Sequence, residues 1–217
     1  MPSKSKADHH FFWPLLVITF ILWWLYRSLF HFDVWFDELI GKAIFFGLPV
    51  WAYLQTSRAQ EILDTLSPKK VNSGLLLGLA LGGIYGFAGS IVSLMASGAN
   101  VQMVPLFVSS TFWWEFFLAL MTGFWESLFF FSWIMTIIMI VMKKWPLALQ
   151  IGLNASIFLA FHLPNSILRF SGPALTTQII LMFVFGLGQS LLFARWKNFY
   201  ALVISHAIWG MALLIHM

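Results

Sequence analysis

The sequence predicts an all-α, polytopic transmembrane bundle of about seven helices with a cytoplasmic N-terminus. Three observations predict it: a composition no water-soluble surface can carry, apolar runs as long as a bilayer is thick, and basic residues concentrated on one set of loops. Of the 217 residues, 60% are hydrophobic and 9% charged, whereas soluble domains carry about a quarter of their residues as Asp, Glu, Lys or Arg. The expected surroundings are therefore the lipid bilayer, with the chain read as a multi-pass protein of the plasma membrane and residues 1–217 as one transmembrane domain. With no cysteine, disulfides and thiolate metal sites are excluded. The net charge of +4 does not point to nucleic acid, because the basic residues stand singly and in pairs rather than in one patch.

A helix rising about 1.5 Å per residue needs about 20 apolar residues to cross a hydrocarbon core about 30 Å thick. Stretches of that kind run over 11–30, 39–55, 73–96, 110–142, 147–168, 174–194 and 199–215. The first is long, aromatic-rich and without a small-residue cleavage site, so it reads as a retained anchor. Residues 56–72 contain Arg58, Glu61 and Asp64 and end in Pro68, Lys69 and Lys70, the pattern of an amphipathic surface segment. Residues 97–105 form a small-residue loop, and turns fall at 143–146, 171–173 and 195–198. The fourth stretch is too long to stand upright, with Gly123 the expected bend.

Orientation follows from the positive-inside rule. An inner N-terminus puts Lys4, Lys6, Arg58, Lys69, Lys70, Lys143, Lys144, Arg195 and Lys197 inside, nine of the twelve Lys and Arg residues. Arg27 and Arg169 remain outside, and Lys42 falls within a span.

Ionisable groups in hydrocarbon cost about 2.5–3.5 kcal/mol on insertion scales and so demand a reason. Glu126 lies near the middle of its span among aromatic residues. It suits a general base if a histidine or water stands nearby, or else interhelical hydrogen bonding. Glu115 shares its helix face about 16 Å away, which suits an interfacial position. Lys42, close to Asp37 and Glu38, is expected to snorkel or pair. His162 and His206 lie on two further spans; either alone reads equally well as a satisfied buried polar group. Together with Glu126 they could meet in a bundle to activate water or hold a metal. His9, His10, His31 and His216 lie in the tail or at span ends, where water satisfies them.

The order Glu126-Ser-Leu-Phe-Phe-Phe-Ser132, Phe158-x-x-x-His162 and His206-x-x-x-Gly210 resembles the CPBP family of intramembrane proteases, also called the Abi or CAAX-protease family, which includes bacteriocin-immunity relatives. The resemblance runs from Thr111 onward, giving a core over 111–216. The family's Glu-Glu-x-x-x-Arg motif keeps its leading glutamate here, with Ser127 and Phe131 in place of the second acid and the arginine. Gly210 stands where the last motif carries an amide.

The resemblance implies an endopeptidase acting on a peptide or membrane-protein substrate. Glu126 would be the base, His162 its partner or a metal ligand, and His206 an oxyanion donor or second ligand. A divalent metal such as zinc on His162 and His206 is compatible with it. The departures keep a catalytically silent relative, an immunity factor or scaffold, as the alternative. A small transporter with a proton relay would call for an internal repeat, and the sequence offers none that convinces.

Overall fold

The computed structural model describes residues 9–57, 59–96 and 111–215; Lys4, Lys6, Arg58, the 97–105 loop and His216 lie outside them. Among the described residues the chain is helical throughout, with no strand. The helices are α1 (Phe12–Leu29), α2 (34–57), the short α3 (Gln60–Thr65), α4 (Val71–Ala96), α5 (112–141), α6 (Leu147–Arg169), α7 (Gly172–Trp196) and α8 (Phe199–Ile215). Helix α1, the run containing α4, and helices α5, α6 and α7 are long and apolar enough to cross a membrane. Among the described residues that makes five by this measure; α2 carries Asp37, Glu38 and Lys42, and α8 is a further apolar helix.

Surface segment and turns fall where expected. On α3, Ile62 and Thr65 are buried while Glu61 and Asp64 face outward. Gly123, the expected bend, lies shortly before the π-helical stretch of α5 begins at Ser127. It lies within the regular α-helical part of α5, and a Cβ there would come within 2.7 Å of the Val203 carbonyl. Its lack of a side chain lets α8 approach. The same reason fits Gly78 on α4, where a Cβ would meet Ile204 at 2.7 Å, since small residues allow close helix packing in lipid.

The bundle interior is built largely of phenylalanine. Phe46, Phe129, Phe130, Phe158 and Phe161 are almost wholly buried, and Phe129 and Phe130 meet edge to face with ring centroids 4.9 Å apart, a favoured aromatic geometry. Much of the phenylalanine content is thus core, although composition alone suggests lipid-facing packing.

Helix α1 is fixed against α6 at a defined point. Pro164 cannot donate to the Ala160 carbonyl one turn earlier, and Trp24 Nε1 donates to that oxygen at 3.3 Å. Trp23 Nε1 donates to the neighbouring Phe161 carbonyl at 2.8 Å. Backbone groups freed by proline inside a bilayer need such substitutes, and these hold the segment carrying His162.

Candidate active site

Two helices depart from regular winding where the ionisable groups lie. Helix α2 is π-helical over Asp37–Gly41 and Ala43–Gly47, on either side of Lys42, and α5 is π-helical over Ser127–Met135, immediately after Glu126. Wider turns of this kind recur at functional sites because they re-aim side chains that a regular helix would spread.

The Phe-x-x-x-His spacing on α6 has a local cause. Residues four apart share a helix face, and the Phe158 and His162 rings stack with centroids 4.1 Å apart. His162 Nδ1 lies 2.7 Å from the Phe158 carbonyl; a carbonyl only accepts, so Nδ1 donates and Nε2 is turned toward the bundle interior. Phe185 of α7 meets the His206 ring edge-on at 4.9 Å. Each imidazole is therefore oriented by an aromatic neighbour.

The three predicted side chains converge. Glu126 is 2% exposed, and its Oε2 lies 3.2 Å from His162 Nε2 and 3.3 Å from His206 Nε2. Because Nδ1 of His162 carries a proton, its contact with the carboxylate is attractive only when another proton lies between them. Two imidazoles thus share one carboxylate oxygen, and Glu126 is not an isolated buried acid.

The fourth member comes from α2. Lys42 Nζ donates to the other carboxylate oxygen, Oε1, at 2.6 Å, and also to Glu38, whose carboxylate accepts from Thr122 of α5 as well. Sequence alone points Lys42 to snorkelling or pairing near a span end. It does pair, but 6% exposed and at the centre of the site. The nearness of Glu38 and Lys42, four residues apart in an apolar span, was the available signal; that their partner would be Glu126 was not readable.

A cavity of about 550 Å³ opens onto this centre, lined among others by Glu38, Lys42, Glu126, His162 and His206. Glu115 is exposed on its wall, in keeping with an interfacial position. Gly210 also lines the cavity, and a Cβ there would meet nothing within 4 Å. Ser127 and Phe131 are fully buried. His31 is exposed, whereas His9, expected to be satisfied by water, lies 2.7 Å from the Tyr53 hydroxyl through Nδ1.

Arg27 is buried beside the cavity rather than merely marking the outer surface. It pairs with Asp37, and its Nε donates to Asn165 Oδ1 at 2.5 Å. The Tyr26 hydroxyl donates to Asp37 at 2.5 Å. This network ties the end of α1 to the start of α2 and to the cavity wall on α6.

The donors available to a metal at His162 and His206 are their Nε2 atoms and a carboxylate already engaged by an ammonium group. Among the described residues no group of three or more His, Cys, Asp or Glu side chains is arranged to hold a metal ion.

Residues 108–212 match the family described as type II CAAX prenyl endopeptidase Rce1-like. The matched segment, just under half of the chain, contains Glu126, His162 and His206. Fold and site thus define a multi-pass helical membrane protein whose C-terminal half is CAAX-protease-like, the resemblance read from the motifs. No curated protein and no solved structure matches the chain.

Proposed function

We propose that the chain is an intramembrane endopeptidase that hydrolyses a peptide bond with water activated by Glu126 and His162. The observation that carries this reading is the meeting of two imidazoles on one buried carboxylate oxygen at the wall of a cavity. Glu126 takes a proton from water as the hydroxyl oxygen attacks the scissile carbonyl. The C–N bond then breaks, and the proton passes through His162 to the departing amine. His206 Nε2, on the other side of the carboxylate, faces the developing oxyanion. We take residues 1–217 as one transmembrane domain with a catalytic core at 111–216, and a peptide or membrane protein as substrate.

The test is quantitative profiling of new peptide termini in membranes carrying the wild-type chain, Glu126→Gln or His162→Ala. Cleavages present with the wild type and lost in both variants support the proposal; unchanged cleavage in both rejects these assignments. A prenylated CAAX peptide, the substrate class in the matched family's description, is one defined probe, with the unprenylated peptide as control.

A catalytically silent protein of the same fold, an immunity factor or scaffold, is favoured by Gly210, which offers no side-chain amide in the cavity. It predicts no terminus that depends on Glu126.

A further inference from the structure

We infer that the cavity opens on the extracytoplasmic side of the membrane, so that what enters it is a polypeptide segment presented from outside the cytoplasm. The inference joins two independent observations: which end of the bundle carries the opening, and which end carries the basic residues.

From Glu126 and His206 near mid-helix, the cavity wall extends toward one end of the bundle. Val34 and Glu38 lie in the first turns of α2, Glu115 in the first turn of α5, Arg169 at the last residue of α6, and Gln178 near the start of α7. Helices α6 and α7 are antiparallel neighbours joined at Phe170 and Ser171, so these positions share one end. The part-buried Arg27–Asn165 hydrogen bond places the end of α1 there too.

The opposite end collects the lysines. Lys70 Nζ donates to the Lys197 carbonyl at 2.8 Å, and Asn198 Nδ2 donates to the Lys70 carbonyl at 3.0 Å. This pins the start of α4 to the turn between α7 and α8. Gln150 Nε2 donates to the Trp145 carbonyl at 2.9 Å, holding the Lys143–Lys144 turn at the start of α6, beside the end of α7. Lys69, Lys143, Lys144, Arg195 and Lys197 are all exposed. Of the Lys and Arg residues at the cavity end, Arg27 is buried against Asp37, and Arg169 is exposed.

Short loops rich in Lys and Arg stay in the cytoplasm, the bias acting within about 15–20 residues of span ends. The exposed lysines therefore face the cytoplasm, and the opening at the other end faces away from it. Sidedness does not depend on peptidase activity; only its consequence for the substrate rests on the proposed function.

The absence of cysteine makes the experiment direct. Single replacements Gln178→Cys and Arg169→Cys at the opening, and Lys144→Cys and Lys69→Cys at the far end, are expressed in a bacterial inner membrane. Spheroplasts are treated with a membrane-impermeant maleimide before and after lysis. We expect Gln178→Cys and Arg169→Cys to be labelled on intact spheroplasts, and Lys144→Cys and Lys69→Cys to lose labelling unless the membrane is broken. As a second measurement, alkaline phosphatase fused after Met217 is expected to be active and a fluorescent protein fused there dark. Labelling of the lysine-end positions on intact spheroplasts, or a fluorescent and phosphatase-inactive C-terminus, overturns the inference. If sidedness holds while no Glu126-dependent cleavage is found, the proposed function fails and the inference stands.

Discussion

The ammonium of Lys42 stands 2.6 Å from Oε1 of Glu126, although 84 positions separate the two residues. Glu38, one turn earlier on α2, accepts from the same ammonium. The glutamate motif has Ser127 and Phe131 where the family pattern has a second acid and an arginine, and α2 brings one carboxylate and one cation to the same centre. A lysine held on Oε1 leaves Oε2 to the imidazoles and fixes the carboxylate's orientation.

Lys42 should therefore act as a positioning residue. Lys42→Met is expected to lower kcat by about 100-fold, the scale of a misplaced general base, with little change in KM. Lys42→Arg should restore much of the loss, because the guanidinium also donates to carboxylates. Steady-state kinetics on a cleaved peptide, with thermal unfolding of each variant, checks this. Equal loss in both variants at unchanged folding would remove Lys42 from the site.

Gly210 lines the cavity with open space where its Cβ would lie, so Gly210→Asn should fold normally. A side-chain amide there adds an oxyanion donor, and single donors of that kind are worth about 100-fold in kcat. A rise in turnover that Glu126→Gln abolishes is the expected outcome. No gain would place the oxyanion elsewhere in the cavity.

Metal removal tests the reading of His162 and His206 as ligands. With Lys42 already on the carboxylate, we expect Glu126-dependent cleavage to survive treatment with a membrane-permeant chelator. Loss of cleavage, restored by zinc, would return the two histidines to a metal-binding role.

The Arg27–Asp37 pair predicts a stability effect separate from chemistry. Arg27→Met leaves Asp37 buried without its cation, a change that costs about 3–5 kcal/mol in comparable buried pairs. Thermal unfolding in detergent should show a clear drop for Arg27→Met. A smaller drop is expected for the double variant Arg27→Met with Asp37→Leu, which removes both charges. Equal drops would mean the pair contributes through packing alone.

Much of this protein was legible in its residues taken in order. The membrane solvent follows from composition, since so few charges cannot cover so apolar a surface in water. Most helix positions follow from apolar runs, because lipid forces the backbone to satisfy its own hydrogen bonds. Glu126, His162 and His206 stood out because each is costly in hydrocarbon, and the Phe158–His162 spacing is a local geometry that sequence distance encodes directly. Only the tertiary structure decided which groups meet. Lys42 and Glu126 belong to segments packed by long-range contacts, and helix rotation and π-helical turns choose the face each side chain presents. The buried fate of Arg27, the packing role of Gly123 and the end at which the cavity opens are likewise properties of the assembled bundle, because each depends on a neighbour that adjacent sequence does not specify.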